Sequence, residues 1–318
     1  MVAGLGAAIA FRGRGGWPLA SIFLVWALAT VVAYLVPSPI GHNLVRASVF
    51  VFPLVLVAAT LADFRPRWLA FAAVGAALAS NVLPYGAMID DRASGIDSRS
   101  SFWHPVVAFL QSQSTPSFRV EVVPTANHWE AYYLPRAGLA LARGWYRQLD
   151  IADDAALYSR RLTPAVYRAW LRAHAVRFVV VPRLPLEAID ARREAVLIES
   201  GAAGLREVWT TKAATVYRLP HPTPILTGPG TAIVTALGPS VIDGRTGRPG
   251  SYLLRVHFTP YWSVTRGSVC VTRASGAMTR LDVTRPGRFA LRADETPADI
   301  LTAILDRDHE RCASPNRR

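Results

Sequence analysis

Lysine is almost missing from this chain. Lys212 is the only one, and arginine supplies the rest of the positive charge behind a formal net charge of +13. Arginine and alanine have GC-rich codons, so the imbalance reads either as genomic composition or as attraction to anionic lipid headgroups and phosphate-bearing partners. Cysteine is scarce as well. Cys270 and Cys312 allow one disulfide or two free thiols, and too few ligands for a zinc cluster. None of the short motifs that cradle nucleotide phosphates, hold a protease zinc or present a serine nucleophile occurs, which removes the commonest readings of those three kinds. No basic run carries interleaved aromatics, so nucleic acid is not an expected partner. No cofactor and no metal are expected, and there is no internal repeat.

Charge itself is absent from two long runs, between Arg14 and Arg46 and between Arg67 and Asp90. Each gap holds about 20 mostly apolar residues, enough to cross a hydrocarbon core of roughly 30 Å at 1.5 Å per residue. A third apolar run, Ala47 to Ala62, lies between them. Three membrane spans are therefore expected within residues 1–89, near 17–36, 45–63 and 68–85. Trp17 and Tyr34 stand where interfacial aromatics belong, and the second span crosses if Arg46 snorkels outward. A secretory signal peptide over residues 1–36 is the rival reading. Arg12 and Arg14 share a side with Arg65 and Arg67, against Arg46 alone, so the positive-inside rule puts that side in the cytoplasm. The expectation is a multi-pass cell-membrane protein in contact with membrane lipids, its large C-terminal part outside the cytoplasm.

The rest of the chain alternates strand and helix signals. Phe118–Val123 alternates as a strand with Arg119 and Glu121 on one face. Thr163 and Pro164 begin the clearest helix, an N-cap followed by proline, with Val166, Trp170 and Leu171 on its apolar stripe. Arg177–Pro182 is too continuously apolar for a strand with one wet face. A helix over 187–200 and a hairpin over 205–219 complete a predicted α/β domain with a mixed sheet at 90–220. From Thr231 onward short runs separated by glycine predict a small β-sandwich at 221–295. A polar tail, 296–318, follows, with a short helix near 298–305.

The densest polar stretch is Pro124 to Asp150. It leaves a strand end, where α/β sheets place ligand contacts. His128, Trp129, Glu130, Arg143, Arg147 and Asp150 are the candidate substrate-binding residues. Carboxylates and an imidazole suit sugar hydroxyls, and aromatic faces suit sugar C–H edges. Arg143 and Arg147, four apart, would face one way on a helix and clamp a phosphate. The alternative reading is an ordinary helix start with intradomain salt bridges from the arginines to Glu130 or Asp150.

Several segments carry a resemblance: Pro39–Arg46, Arg119–Thr125, Asn127–Glu130, Ala142–Asp150, Tyr167–Leu171 and Pro260–Trp262 with the later Pro286–Gly287. Together they resemble the C-terminal region of actinobacterial polytopic integral membrane proteins similar in layout to the GT-C glycosyltransferase superfamily. The resemblance implies the C-terminal portion of an enzyme of cell-envelope glycan assembly, using a polyprenyl-phosphate sugar and working with other membrane subunits. In such enzymes the catalytic acid lies in an early loop with no counterpart in this sequence, so no catalytic residue is assigned and the chain is not expected to be catalytic alone. The alternative is a non-enzymatic binding or scaffold protein of the envelope.

Overall fold

The computed structural model describes residues 95–144, 147–293 and 311–312, together with residues 21–22, 24–29, 31, 68, 71, 75, 79 and 86. The chain divides into two units, Met1–Gly95 and Ile96–Arg318. In the first, each described position up to Gly86 is helical. Among the described residues, no helix is long and apolar enough to cross a membrane. The expected three membrane spans, the membrane part of the fold class and the multi-pass, extracytoplasmic location built on them are corrected accordingly. The expected spans at 17–36, 45–63 and 68–85 fall largely outside the described residues, as does the expected helix near 298–305. The longest described helix, α1 (Ser100–Gln113), has 14 residues. At 1.5 Å per residue it reaches about 21 Å, well short of a hydrocarbon core.

In the second unit strand outweighs helix. Its first part holds α1, β1 (Arg119–Val122), α2 (Glu130–Arg136), α3 (Arg147–Asp153), α4 (Pro164–Ala173), β2 (Val176–Pro182), α5 (Ile189–Glu199), β3 (Arg206–Thr210) and β4 (Ala214–Arg218). The four strands form one sheet in the order β1-β2-β4-β3, with β1 parallel to β2 and the other pairs antiparallel. A parallel pair needs a long crossover, and α2, α3 and α4 supply it. Both faces of the sheet are covered. Val120, Val122, Phe178 and Val180 meet Trp103, Val106 and Leu110 of α1 on one side. On the other, Val176, Val179 and Val181 meet Tyr167, Trp170 and Leu171 of α4 and Ala195 and Ile198 of α5. This double cover explains why β2 is apolar at successive positions rather than alternate ones.

Two helix starts show local chemistry at work. Thr163 Oγ1 accepts a hydrogen bond from Val166 N at 3.3 Å, satisfying one of the orphan amides at the start of α4. The buried stripe of α4 is Tyr167, Trp170 and Leu171, while Val166 is exposed. In α1, Pro105 lies at the sixth position rather than the first. It leaves the carbonyl of exposed Ser101 without its helical donor, a loss that water offsets.

The second part is a single curled antiparallel sheet rather than the expected two-sheet sandwich. Its strands are β5 (Leu226–Thr227), β6 (Ala232–Leu237), β7 (Val241–Thr246), β8 (Gly250–His257), β9 (Trp262–Arg273), β10 (Met278–Ala293) and β11 (Arg311–Cys312). The path runs β11-β9-β10-β7-β6, with β8 also on β10 and β5 on β8. The correction follows from β10, which at 16 residues is far longer than a strand of a small sandwich. It pairs with β8 over Met278–Val283 and with β7 over Gly287–Arg292, while β9 follows its other edge. Register shifts between Val283 and Ala290 bend it at the change of partner. The sheet thus wraps almost closed, like a barrel, around one core that includes Tyr252, Leu254, Trp262, Val271, Leu281 and Phe289. Cys270 and Cys312 stand opposite each other on β9 and β11 and form a disulfide.

Candidate functional site

The chain leaves β1 at Pro124 and enters a loop stitched to the segment after β2. Glu187 N donates to Pro124 O at 2.9 Å and Ala126 N to Pro185 O at 2.9 Å. Glu130, buried in the first turn of α2, closes the loop from inside. Its Oε1 accepts from Thr125 N at 3.2 Å and its Oε2 from Thr125 Oγ1 at 2.5 Å. His128 takes a left-handed backbone, φ 55, which costs an L-residue about a kcal/mol or more and is held by its contacts. Its Nδ1 lies 3.2 Å from Glu130 Oε1 and its Nε2 3.6 Å from Glu187 Oε1. The hydrogen bond to Glu130, together with the nearby negative charge, raises the imidazole above its ordinary value despite partial burial.

Arg143 does not share a helix with Arg147. Residues Ala140–Ala142 run beside β1, with Val120 N donating to Ala140 O and Ala142 N to Val120 O. Arg143 therefore turns into the α/β layer, and α3 begins only at Arg147. Arg143 Nη2 donates to Glu194 Oε2 at 2.6 Å. The same nitrogen stands 2.7 Å from Glu121 Oε1, close enough for a full ion pair but not aligned for a second hydrogen bond. Asp150 Oδ2 is 3.9 Å from Nη1 and also accepts from Tyr158 OH. Tyr167 OH donates to Glu194 Oε1 at 2.8 Å. Trp170 Nε1 and His174 Nε2 approach Asp154 Oδ1 at 2.7 and 3.1 Å.

One guanidinium among this many carboxylates shapes their titration. Burial pushes Glu121 well above the carboxylate range, with Arg143 opposing and Glu194 and Asp150 adding to the rise. Burial likewise lifts Asp150 to about 6, against Arg143 and the Tyr158 hydroxyl. For Asp154 burial acts upward too, but His174 and Trp170 outweigh it and hold the group below its ordinary value. Glu121 is fully buried, so its charged form depends on the Arg143 guanidinium 2.7 Å away for compensation.

Arg147 is committed elsewhere, to Glu187 at 2.8 Å and Asp190 at 3.3 Å. Trp129 belongs to a ring cluster with Tyr132 and Tyr133, at 5.9 and 6.0 Å, and Tyr133 stacks on Trp103 of α1. Of these faces Tyr132 is the exposed one. The sequence-predicted residues are thus gathered into two adjoining groups: His128, Glu130 and Arg147 around Glu187, and Arg143 with Asp150 around Glu121 and Glu194. The arginine partners are Glu121, Glu187, Asp190 and Glu194, together with Asp150 at longer range. Glu194 carries a sequence signal, since it shares the buried stripe of α5 with Ala191, Ala195 and Ile198. The space enclosed between Glu121, His128, Glu130 and Arg143 is about 20 Å³, the size of one water and far below a sugar ring.

No family model, no curated protein and no solved structure matches this chain.

Proposed function

We propose that this chain is a non-catalytic, structural part of a sugar-transfer assembly, the form in which the GT-C resemblance is carried forward. The observation behind the reading is the closed ion-pair network at residues 121–194. A general acid or base must reach its substrate proton within hydrogen-bond distance. Here Glu130 is turned inward onto Thr125, Glu194 is taken by Arg143 and Tyr167, and the gap between the groups admits no sugar. Arg143 and Arg147 are likewise engaged by carboxylates and have no unpaired fork for a phosphate. The network holds a loop, a strand end and two helices in one arrangement; its role is architecture.

The test is incubation of the purified full chain with a radiolabelled polyprenyl-phosphate-linked sugar and an acceptor glycan, following product. Absence of product is the expected result. Product above the protein-free control and lost in Glu130→Gln would overturn the reading.

A further inference from the structure

A cavity of about 620 Å³ lies on the curled β sheet and shares no residue with the 124–150 stretch. Its geometry follows from strand register. On β10, Arg288, Ala290 and Arg292 alternate onto the outer face, while Phe289 and Leu291 point into the core. Arg245 of β7 stands directly opposite Arg288, and Ile233 of β6 stands opposite Arg245. Ala290 has Asp243 of β7 on one side and Arg266 of β9 on the other. A small residue therefore forms the floor of a hollow walled by four arginines and one carboxylate, with Ile233 at its rim.

Gly244 lies beside this hollow, with its missing side chain on the core side. A Cβ there would lie 2.5 Å from the Phe289 ring and 2.7 Å from Ile233 O, so only glycine lets the sheet close onto that ring. At Gly267, φ +97, β9 turns aside where β10 changes partners.

The charges are arranged against the fold's own interest. Like charges directly opposite on neighbouring strands destabilise a sheet, yet Arg245 faces Arg288. Arg292 is satisfied by Asp243, Nη1 to Oδ1 at 2.7 Å. Arg245, Arg266 and Arg288 make no side-chain hydrogen bond or ion pair among the described residues, and each is exposed. Three unpaired guanidinium forks around one hollow match a group with several acceptor oxygens and close to two negative charges. A carboxylate would engage one fork and leave the others opposed. Among the residues lining the cavity the ring is that of Phe289, which is buried and so offers no face for base stacking; this disfavours single-stranded nucleic acid. The side chains of Asp243, Thr235 and Thr265 border the same cavity and suit hydroxyl groups.

We propose that the outer face of β6, β7, β10 and β9 is a binding site for a phosphomonoester on a hydroxyl-bearing small molecule. The phosphate sits among Arg245, Arg266 and Arg288, and the hydroxyl-bearing portion lies toward Asp243 and Thr235. The proposal is independent of any part in sugar transfer.

Titration calorimetry of the purified full chain tests it with five probes: glucose 1-phosphate, glucose, inorganic phosphate, phosphatidylglycerol vesicles and a single-stranded oligonucleotide. Glucose 1-phosphate is expected to bind more tightly than inorganic phosphate, with glucose not binding, and affinity is expected to fall as salt rises. Arg288→Gln and Arg245→Gln should each weaken binding about tenfold or more, the weight of a charge-assisted contact, and Arg206→Gln on β3 should leave it unchanged. If Arg288→Gln fails to fold, Arg266→Gln on the neighbouring strand gives the same measurement. Binding that these substitutions leave intact would overturn the proposal. So would binding of vesicles alone, which would mark a phosphodiester headgroup surface, or a preference for an oligonucleotide over glucose 1-phosphate.

Discussion

Arg143 Nη2 lies 2.6 Å from Glu194 Oε2, so a residue that leaves the edge of β1 is bolted to the middle of α5. Both side chains are almost wholly buried, at 6% and 1% exposure. Arg143→Met removes the only cation within 4.0 Å of Glu121 and Glu194 among the described residues and leaves Glu194 and Asp150 to face each other. Breaking a buried pair from one side costs about 3–5 kcal/mol, and a urea melt should show a loss of that order. A double change, Arg143→Met with Glu194→Gln, should recover part of it. An unchanged midpoint in the single variant would mean that the network carries no stability.

Stability should rise on mild acidification. Glu121 and Asp150 have folded-state values above their unfolded ones, so the folded chain holds their protons more tightly. Their contribution falls as pH rises, for Asp150 between its ordinary 3.8 and about 6. His128, also raised, contributes stability that is fully present below its ordinary 6.5 and is lost as pH climbs through its folded value. Asp154 is depressed and works the other way, its contribution being lost as pH falls through its folded value. Thermal melts should give a higher Tm at pH 5.5 than at 7.5, with a decline once the pH drops below about 4, where carboxylates held ionised by partners protonate. Asp150→Asn should flatten the slope between about pH 4 and 6.

Gly244→Ala is predicted to destabilise the β domain by about 1–3 kcal/mol, the usual cost of forcing extra volume into a packed site. The new methyl meets Phe289 and a backbone oxygen, so repacking cannot come from a flexible side chain end alone. The fluorescence of Trp262, in the same core, reports the change; an unshifted melt would show that the sheet yields there freely.

Cys312→Ser should lower stability by up to about 4 kcal/mol, the loop-entropy figure for a cross-link spanning tens of residues. The two cysteines are 42 positions apart in sequence. Reductant should reproduce the loss in the native chain and add nothing to the variant.

The sequence was most legible where one local rule sufficed. Thr163 and Pro164 mark the start of α4 because cap and proline act within a single turn, and Val176–Pro182 betrays its double cover by having no polar alternation. It misled where the partner lay far along the chain. A spacing of four made Arg143 and Arg147 look helical, but backbone pairing of Ala140–Ala142 with β1 holds Arg143 outside α3. β7 carries little sequence signal because Asp243, Gly244 and Arg245 offer no apolar alternation, and its arginine faces a cavity rather than the core. Pro286 and Gly287 interrupt the sequence pattern of β10, and they fall at the bend where its partner changes. The apolar runs before residue 90 suggest lipid by composition and length, which alone do not establish a spanning helix.

The sharing of β10 between β8, β7 and β9 also sets an order of events. As the chain emerges from the ribosome, β7, β8 and β9 exist before the strand that clasps all three, and β9 has no earlier neighbour to lean on. Until residues 278–293 arrive, three strand edges stand open to the wrong partner. The interval before those residues are made is therefore the hazardous one, and slow synthesis or truncation near residue 280 should send the nascent chain into aggregates rather than into a smaller soluble domain.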